Sequence, residues 1–237
     1  MAFGISVVVL VAIALVLQSI SHAKSVRGEW MREMVGGSPR FTWCVGAACQ
    51  GLVFPGAILA SFVSFNGTGN EWLLGQWTAD ESSAYCMWFH CIMLAYFCKD
   101  FLFPMTTIIW VHHIVCGIAV WLSLNGNLQG GHNAFALGTV LMEFGSGANS
   151  WMHILPKPSK QAVDAFLVVM TLSNVSSVGC SLYWAVASEQ TPHIIRCVFI
   201  AIATPVAAVR QRDAAALGKE LLERDSAGEG AAGKKAG

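Results

Sequence analysis

The sequence predicts an all-α membrane protein, a bundle of about seven transmembrane helices. Of its 237 residues, 55% are hydrophobic and only 12% are charged, whereas soluble domains carry about 25% charged residues. The mean hydropathy is +0.56. The apolar residues also occur in blocks of roughly 20, the length that crosses a bilayer as a helix. The formal net charge is zero, so the composition gives no indication of a nucleic-acid partner.

Seven apolar segments are long enough to span a membrane, and they cover about residues 2–20, 41–65, 84–103, 106–124, 133–155, 162–187 and 193–209. Little more than Pro104 separates the third segment from the fourth, so we expect these two to form a tight helical hairpin. The first segment could instead be a cleaved signal peptide. However, no Lys or Arg precedes its apolar run, as a signal peptide normally requires, and we expect a retained helix.

The cysteines are expected to be free. Each lies within a predicted span, and none forms a Cys-x-x-Cys pair of the kind that binds metals or reacts in redox chemistry. A free cysteine in such a position packs as a small hydrophobic side chain. We therefore expect neither disulfides nor a metal site.

Basic residues occur on alternate loops. Lys and Arg are found in the loop at 21–40, in the "PKPSK" turn at 156–160 and in the tail beyond residue 209, whereas the loop at 66–83 carries only acidic charges. Cytosolic loops are enriched in Lys and Arg. The N-terminus is therefore predicted to be lumenal and the C-terminus cytosolic.

Two short motifs agree with this orientation and indicate the endoplasmic reticulum. "NGT" at 66–68 is an N-glycosylation acceptor, with Asn66 as the modified residue, and it falls in a loop predicted to be lumenal. The last four residues, "KKAG", resemble the dilysine signal that returns membrane proteins to the endoplasmic reticulum, through Lys234 and Lys235.

Three regions are predicted along the chain. Residues 1–40 contain the first transmembrane helix and a basic cytosolic loop, residues 41–210 form the main membrane domain, and residues 211–237 form a cytosolic tail. The stretch at 210–224 favours a short surface helix. Residues 225–237 consist of Gly, Ala and charged residues and are predicted to be disordered.

Ionisable side chains inside predicted spans are functional hypotheses, because an Asp or Arg at the centre of a transmembrane helix costs about 2.5–3.5 kcal/mol to insert. The candidates are His90, Asp100, His112, His113, Glu143 and His153. Tyr96 lies one helical turn before Asp100, where it could donate a hydrogen bond to that carboxylate.

The fifth segment carries a polar stripe at helical spacing, formed by Thr139, Glu143, Ser146 and Ser150. A glutamate among small polar residues predicts the wall of a polar cavity. Packing between helices through small residues is the alternative, and it accounts for the serines but not for the glutamate. The sixth segment adds Ser173, Ser177 and Ser181 at four-residue spacing, with Asn174 beside them.

The fourth segment contains two adjacent histidines in a nearly apolar run. Adjacent residues of a helix point about 100° apart, so both imidazoles cannot face one cavity. We expect His112, which shares a face with small residues, to face the cavity, and His113, which shares a face with bulky ones, to pack or support. A hydrogen-bonded structural role stays open for either. Asp100, His112 and Glu143 would then form a polar series entered from the cytosol.

The order of motifs resembles the TLC domain, the membrane fold of ceramide synthases, the translocating-chain-associating membrane protein and a group of smaller homologues. The motifs are "YFCKD" at 96–100, "WVHH" at 110–113 and "MEFGSGANSWMHIL" at 142–155, and the resemblance covers about residues 41–210. Ceramide synthases have a pair of aspartates after the His-His motif, whereas residues 117–133 contain none. The chain is therefore more similar to the small homologues.

The resemblance implies six helices around a tunnel that holds an acyl chain. By this similarity His112 and His113 match the histidine pair that serves acyl transfer in ceramide synthases, and Asp100 and Glu143 match acidic positions of the small homologues. The side chains expected to contact the ligand are Tyr96, Thr139, Ser146, Asn149, Ser173, Asn174 and Ser177.

The expected function is binding of a membrane lipid or fatty acyl chain, in lipid metabolism or in control of membrane composition. If the protein is an enzyme, it is an acyltransferase that uses acyl-coenzyme A, with His112 as general base or acyl carrier and Asp100 or Glu143 setting its protonation. No further cofactor is expected. The sequence leaves open whether the protein forms a homo-oligomer. The alternatives are a non-catalytic lipid sensor, chaperone or scaffold, and a haem protein with axial ligands among His90, His112 and His113.

The predicted orientation can be tested through the acceptor site at Asn66. Glycosidase treatment of the protein expressed in cells should increase its electrophoretic mobility, and Asn66→Gln should abolish that shift. The same variant serves as the control for the unmodified size. A reporter fused after residue 237 that proves to be lumenal would contradict the orientation.

Overall fold

The computed structural model describes residues 26–76, 80–101, 107–124, 130–188 and 191–233, without the side chains at 26–27, 107–109, 111–112 and 224–233. The predicted first helix at 2–20, the turn at 104–105, the side chain of His112 and the lysines Lys234 and Lys235 lie outside the described residues.

The described chain is helical apart from one short hairpin, which confirms the all-α class. The helices are α1 (Val26–Arg32), α2 (Arg40–Val63), α3 (Gly69–Leu74), α4 (Glu81–Asp100), α5 (Thr107–Leu124), α6 (His132–Ile154), α7 (Lys160–Ala187) and α8 (His193–Gly233). The antiparallel strands β1 (Met34–Val35) and β2 (Ser38–Pro39) pair Met34 with Pro39 and Val35 with Ser38. Helices α2 and α4–α8 occupy the second to seventh predicted segments.

Three of the described helices are long and apolar enough to cross a membrane: α2, α7 and the part of α8 from His193 to Glu223. The apolar stretch of α5, His113–Leu124, is shorter, and α4 and α6 carry more polar residues. Large apolar side chains face outward from the bundle, among them Leu52, Val186 and Ile194, which are 74%, 82% and 73% exposed. Exposed apolar surface of this extent suits contact with lipid.

Side-chain caps begin α3, α4 and α7. Asp80 accepts a hydrogen bond from Ser83 N–H at 2.7 Å at the start of α4, and Ser159 accepts one from Ala162 N–H at the start of α7. Thr68 and Glu71 form a reciprocal capping box on α3. Donation from the Thr68 backbone N–H, and secondarily from its hydroxyl, holds the pKa of the exposed Glu71 below its ordinary value.

Helix α2 contains a π-type turn at Cys49–Val53. Pro55 explains it, because proline has no N–H to donate to the carbonyl of Gly51 and its ring crowds that carbonyl. A wider turn relieves both problems. The turn also sets the direction in which Gln50 projects, and its side chain is buried.

The helices follow one another through the bundle in the order α5, α4, α2, α6, α7, α8, each packed on the next. Helix α6 is central, since it also contacts α3 and α4. The hairpin and α1 cover one end of α2 and α6, where Arg40 donates to the Ile154 carbonyl at 2.7 Å and pairs with Glu33.

Helix α8 extends well beyond the seventh predicted segment. The stretch at 210–224, expected as a separate surface helix, continues α8 without a break, and the backbone remains helical to Gly233, where disorder was predicted. Apart from Gly218, residues 214–222 are Ala, Leu, Lys and Glu, which have high helix propensity. An existing helix is also extended more easily than a new one is nucleated.

Serines of α7 contact the backbone of α6. Ser173 Oγ donates to the Leu141 carbonyl at 2.6 Å and accepts from Gly145 N–H at 3.1 Å, and Ser177 Oγ donates to the Gly138 carbonyl at 2.6 Å. These bonds require the two helices to approach closely, which Gly138 and Gly145 permit. The serine repeat of the sixth segment is thus a helix-packing device.

Two glycines offer a matched test of this interface. A Cβ at Gly145 would lie 3.0 Å from Met170 Sδ and from Ser173 Cβ, whereas one at Gly179 would meet nothing within 4 Å. Gly145→Ala should lower the free energy of unfolding by about 1–3 kcal/mol through overpacking. Gly179→Ala should leave it unchanged or raise it by about 0.5–1 kcal/mol, because alanine stabilises a helix.

Thermal unfolding of both variants in the same detergent measures the difference. Equal stability of the two variants would contradict the close α6–α7 approach.

Candidate functional site

Buried polar side chains form three groups among the described residues. The first group, Lys99, Asp100 and His113, lies where α4 ends and α5 begins. The second, called here the central group, is made of Gln50, Glu143, Ser146, Ser150, Asn174 and Arg210. The third, His90, Ser123 and His132, lies where α5 ends and α6 begins.

Glu143 of α6 is held by Gln50 of α2. Gln50 Nε2 donates to Glu143 Oε2 at 2.7 Å, and Ser150 Oγ donates to Gln50 Oε1 at 3.3 Å. Glu143 is only 4% exposed and Gln50 only 7%. The π-type turn of α2 therefore supplies the partner of the buried carboxyl group.

Glycines bring α2 close enough for this contact. A Cβ at Gly46 would lie 3.0 Å from Ser150 Oγ and 3.2 Å from the Tyr96 hydroxyl oxygen, and one at Gly147 would lie 3.3 Å from Gln50 Cβ. Contacts of 3.0–3.3 Å are tighter than most Cβ contacts, so a larger residue at either position would require the side chains between α2 and α6, or the helices themselves, to shift.

Arg210 of α8 provides the positive charge of the central group. Its guanidinium donates to Ser146 Oγ and to the Met142 carbonyl, both at 2.6 Å, and to Asn174 Oδ1 at 3.2 Å. It also interacts electrostatically with Glu143. One arginine thus links α8 to both α6 and α7.

A partly open cavity of about 80 Å³ adjoins the central group. It is lined by Phe97 of α4 and by residues of α5, α6, α7 and α8, most of them apolar: Val115, Cys116, Ala119, Val120, Phe135, Gly138, Thr139, Met142, Glu143, Ser177, Ser181, Phe199, Ile202, Ala203 and Val206. Along α6 the lining runs from Phe135 to Glu143, so the carboxyl group stands at one end of the cavity.

The stripe predicted on the fifth segment divides between two roles. Thr139 and Glu143 line the cavity, while Ser146 binds Arg210 and Ser150 binds Gln50. Asn149, on the same helix, is partly buried.

The candidates on the sixth segment divide in the same way. Ser177 adjoins the cavity, as does Ser181 of the same repeat. Ser173 contacts the α6 backbone, and Asn174 bonds to Arg210 and to Gln211. A ligand-binding role for these residues stays a prediction.

His113 lies beside Asp100 and not in the cavity. Its Nδ1 is 3.7 Å from Asp100 Oδ2, and its ring contacts those of Phe97 and Phe101, with centroids 5.0 and 6.4 Å apart. It lines a second, outward-facing groove of about 260 Å³ between α4 and α5. Because the side chain of His112 lies outside the described residues, its place on the cavity wall stays a prediction.

One expected partnership is replaced by another: Tyr96 could have donated a hydrogen bond to Asp100, but Lys99 forms an ion pair with Asp100 and places its ammonium group 4.4 Å from the centroid of the Tyr96 ring. Gln50 binds one carboxylate oxygen of Glu143. The glutamine belongs to a segment far away in sequence, so periodicity within the fifth segment could not reveal it. Whether His112 also lies beside Glu143 stays a prediction, because its side chain is outside the described residues.

The third group is a directional hydrogen-bond chain. His90 Nδ1 is 2.8 Å from the Cys86 carbonyl oxygen, which requires an Nδ1–H donor, and His90 Nε2 is 3.1 Å from Ser123 Oγ. Ser123 Oγ is 3.3 Å from His132 Nδ1. Both nitrogens of His90 therefore face protein oxygens, which does not favour His90 as an axial haem ligand.

His153, the last ionisable candidate, packs on Trp43 with ring centroids 4.1 Å apart.

Gln50, Lys99, Ser123, His132 and Arg210 complete these groups and were not among the predicted site residues. Gln50 could have been noticed as an amide inside an apolar run that ends in a proline. Arg210 directly follows the seventh apolar segment, where a basic residue is normally taken as a cytosolic flank. Asn66 is exposed in the loop between α2 and α3.

Comparison with protein-family models, with curated proteins and with solved structures gives no match. The resemblance to the TLC domain therefore depends on the three sequence motifs at 96–100, 110–113 and 142–155. Of these, Asp100 and His113 are neighbours at the α4–α5 end of the bundle, and Glu143 stands at the end of the cavity.

Proposed function

We propose that this protein is a multi-pass membrane protein of the endoplasmic reticulum that binds the acyl chain of a lipid between its helices and acts in lipid metabolism or membrane composition. The observation that carries this proposal is the mostly apolar cavity between the helices that reaches Glu143. Apolar walls suit an alkyl chain, and a few placed polar groups are what orients a ligand in such a site. An ionisable side chain inside a membrane domain is itself a functional indication.

The helix order supports a barrel of the TLC type. The succession α5, α4, α2, α6, α7, α8 includes the six segments of the resemblance. Its two end members, α5 and α8, both contribute to the cavity lining. The proposal is that these helices close around the ligand, with the lumenal N-terminus and cytosolic C-terminus indicated by the loop charges.

The choice between acyl transfer and binding without catalysis depends on which of the two histidines faces the cavity. The His113–Asp100 pair, which has the make-up of a general base and its orienting carboxylate, lines the outer groove and not the cavity. An acyl-transfer step requires His112 at the cavity. Position 112 precedes Cys116 by four residues and Ala119 by seven, and both of these line the cavity, so it falls on the same stripe of α5.

Two alanines of α8 allow a matched test of chain binding. Ala203 is 7% exposed and lines the cavity, whereas Ala201 is exposed on the outer surface. Ala203→Phe should fill the cavity and reduce co-purifying lipid by about tenfold, which corresponds to 1.4 kcal/mol of binding free energy. Ala201→Phe should leave it unchanged. Mass spectrometry of lipid extracted from the washed protein gives the measurement.

Because Ala203→Phe could also prevent folding, Ala119→Leu on α5 provides a smaller filling of the same cavity. Equal lipid content in folded wild-type, Ala119→Leu and Ala201→Phe proteins would contradict the proposed function. Turnover of acyl-coenzyme A by the purified wild-type protein, lost in His112→Ala, would establish the catalytic version over the binding one.

A further inference from the structure

The hydroxyl groups of the described residues that line the cavity donate hydrogen bonds to backbone carbonyl oxygens. Thr139 Oγ1 donates to the Phe135 carbonyl at 2.9 Å, Ser177 Oγ to the Gly138 carbonyl at 2.6 Å, and Ser181 Oγ to the Ser177 carbonyl at 2.8 Å. A hydroxyl has one proton to donate. These three side chains therefore offer a ligand only lone pairs.

The hydrogen bonds at Glu143 likewise leave only acceptor atoms for a ligand. Ser150 Oγ donates to Gln50 Oε1, which fixes the orientation of the amide, and Gln50 Nε2 in turn donates to Glu143 Oε2. An ionised carboxylate accepts hydrogen bonds and donates none. Among the described lining residues Cys116 is the remaining polar side chain, and a thiol is only a weak donor.

The charges beside the cavity are balanced. Arg210 interacts electrostatically with Glu143, and its donors are directed to Ser146, Met142 and Asn174. An anionic ligand head would bring a second carboxylate against Glu143. A cationic head would add a second positive charge to a buried group in which Arg210 already matches the glutamate. Either charge would be left uncompensated away from water.

From these three observations we infer that the cavity ligand is a long-chain alcohol, an alkyl chain whose uncharged hydroxyl head donates a hydrogen bond to Glu143. This inference rests on the proposed function and deepens it by naming the head group. A fatty acid fails because it presents a second acceptor and a like charge, and a long-chain amine fails on charge balance.

The dimensions of the cavity determine how much of the ligand it holds. A volume of about 80 Å³ exceeds the roughly 30 Å³ share of one water molecule, but it is far below the roughly 300–1,000 Å³ of sites that enclose whole drug-sized ligands. It accommodates the hydroxyl head and the first carbons. The remaining chain extends between α5 and α8, which are packed on α4 and α7 respectively.

The test uses the full-length protein in phosphatidylcholine nanodiscs and a photoreactive dodecanol that carries a diazirine on its chain. Cross-links are mapped by mass spectrometry, and dodecanol, dodecylamine and dodecanoic acid compete for the same label. We expect saturable labelling of lining residues of α5–α8. Dodecanol should compete at least about tenfold more strongly than the amine or the acid.

Substitution of Glu143 should change the head-group preference. Glu143→Leu removes the acceptor, so dodecanol should lose its advantage over the acid. Glu143→Gln keeps the shape of the side chain and adds an N–H donor, so the preference should move from alcohol toward acid. If either single variant fails to fold, Glu143→Gln combined with Arg210→Met, which leaves no unmatched charge, keeps the test decisive. Ala201→Phe, on the outer surface, should compete like wild type.

The outcomes separate this inference from the proposed function. The alcohol head would be overturned by stronger competition from the amine or the acid, by equal competition from all three probes, or by an unchanged preference in folded Glu143→Gln. In each of these cases, saturable labelling of the cavity would still support binding of the alkyl chain. Absence of saturable labelling at the lining residues would overturn both.

Discussion

Pairing of buried polar side chains is the constraint on which the rest of this structure depends. Glu143 is almost fully enclosed in the bundle and receives a hydrogen bond from Gln50, while Arg210 contributes the opposite charge from α8. A buried charge without such partners is strongly destabilising. The π-type turn that Pro55 imposes on α2, together with the glycine contacts between α2 and α6, brings Gln50 within reach of Glu143.

The same pairing shapes the cavity. The guanidinium of Arg210 anchors α8 to α6 and α7, while α5 packs on α4, and the cavity lies between these helices. Serine hydroxyls hold α7 to α6 by donating to carbonyls. These bonds stabilise the interface and leave acceptor groups toward the cavity. The same serine donors therefore determine both the packing of α7 on α6 and the kind of ligand group that the cavity can accept.

The sequence predicted what depends on local pattern. Apolar blocks located the helices from 41–65 onward, and helical spacing placed Thr139 and Glu143 on one wall. It could not predict which distant segment pairs with that wall, since Gln50 and Glu143 are 93 positions apart. The His-His motif illustrates what the sequence could and could not predict. Geometry required the two imidazoles to diverge, but the neighbours of His113, Asp100 and Phe97, were set by the packing of α4 on α5.

A double-mutant cycle between Glu143 and Arg210 tests most directly whether the two side chains share the interior of the bundle. Thermal unfolding in detergent should be measured for wild type, Glu143→Gln, Arg210→Met and the double variant. Each single change leaves one charge uncompensated and should lower the free energy of unfolding by about 3–5 kcal/mol. The double variant should lose at least about 1 kcal/mol less than the sum of the two, the non-additivity expected for residues in one network. Additive losses, or a single variant as stable as wild type, would contradict the buried pairing.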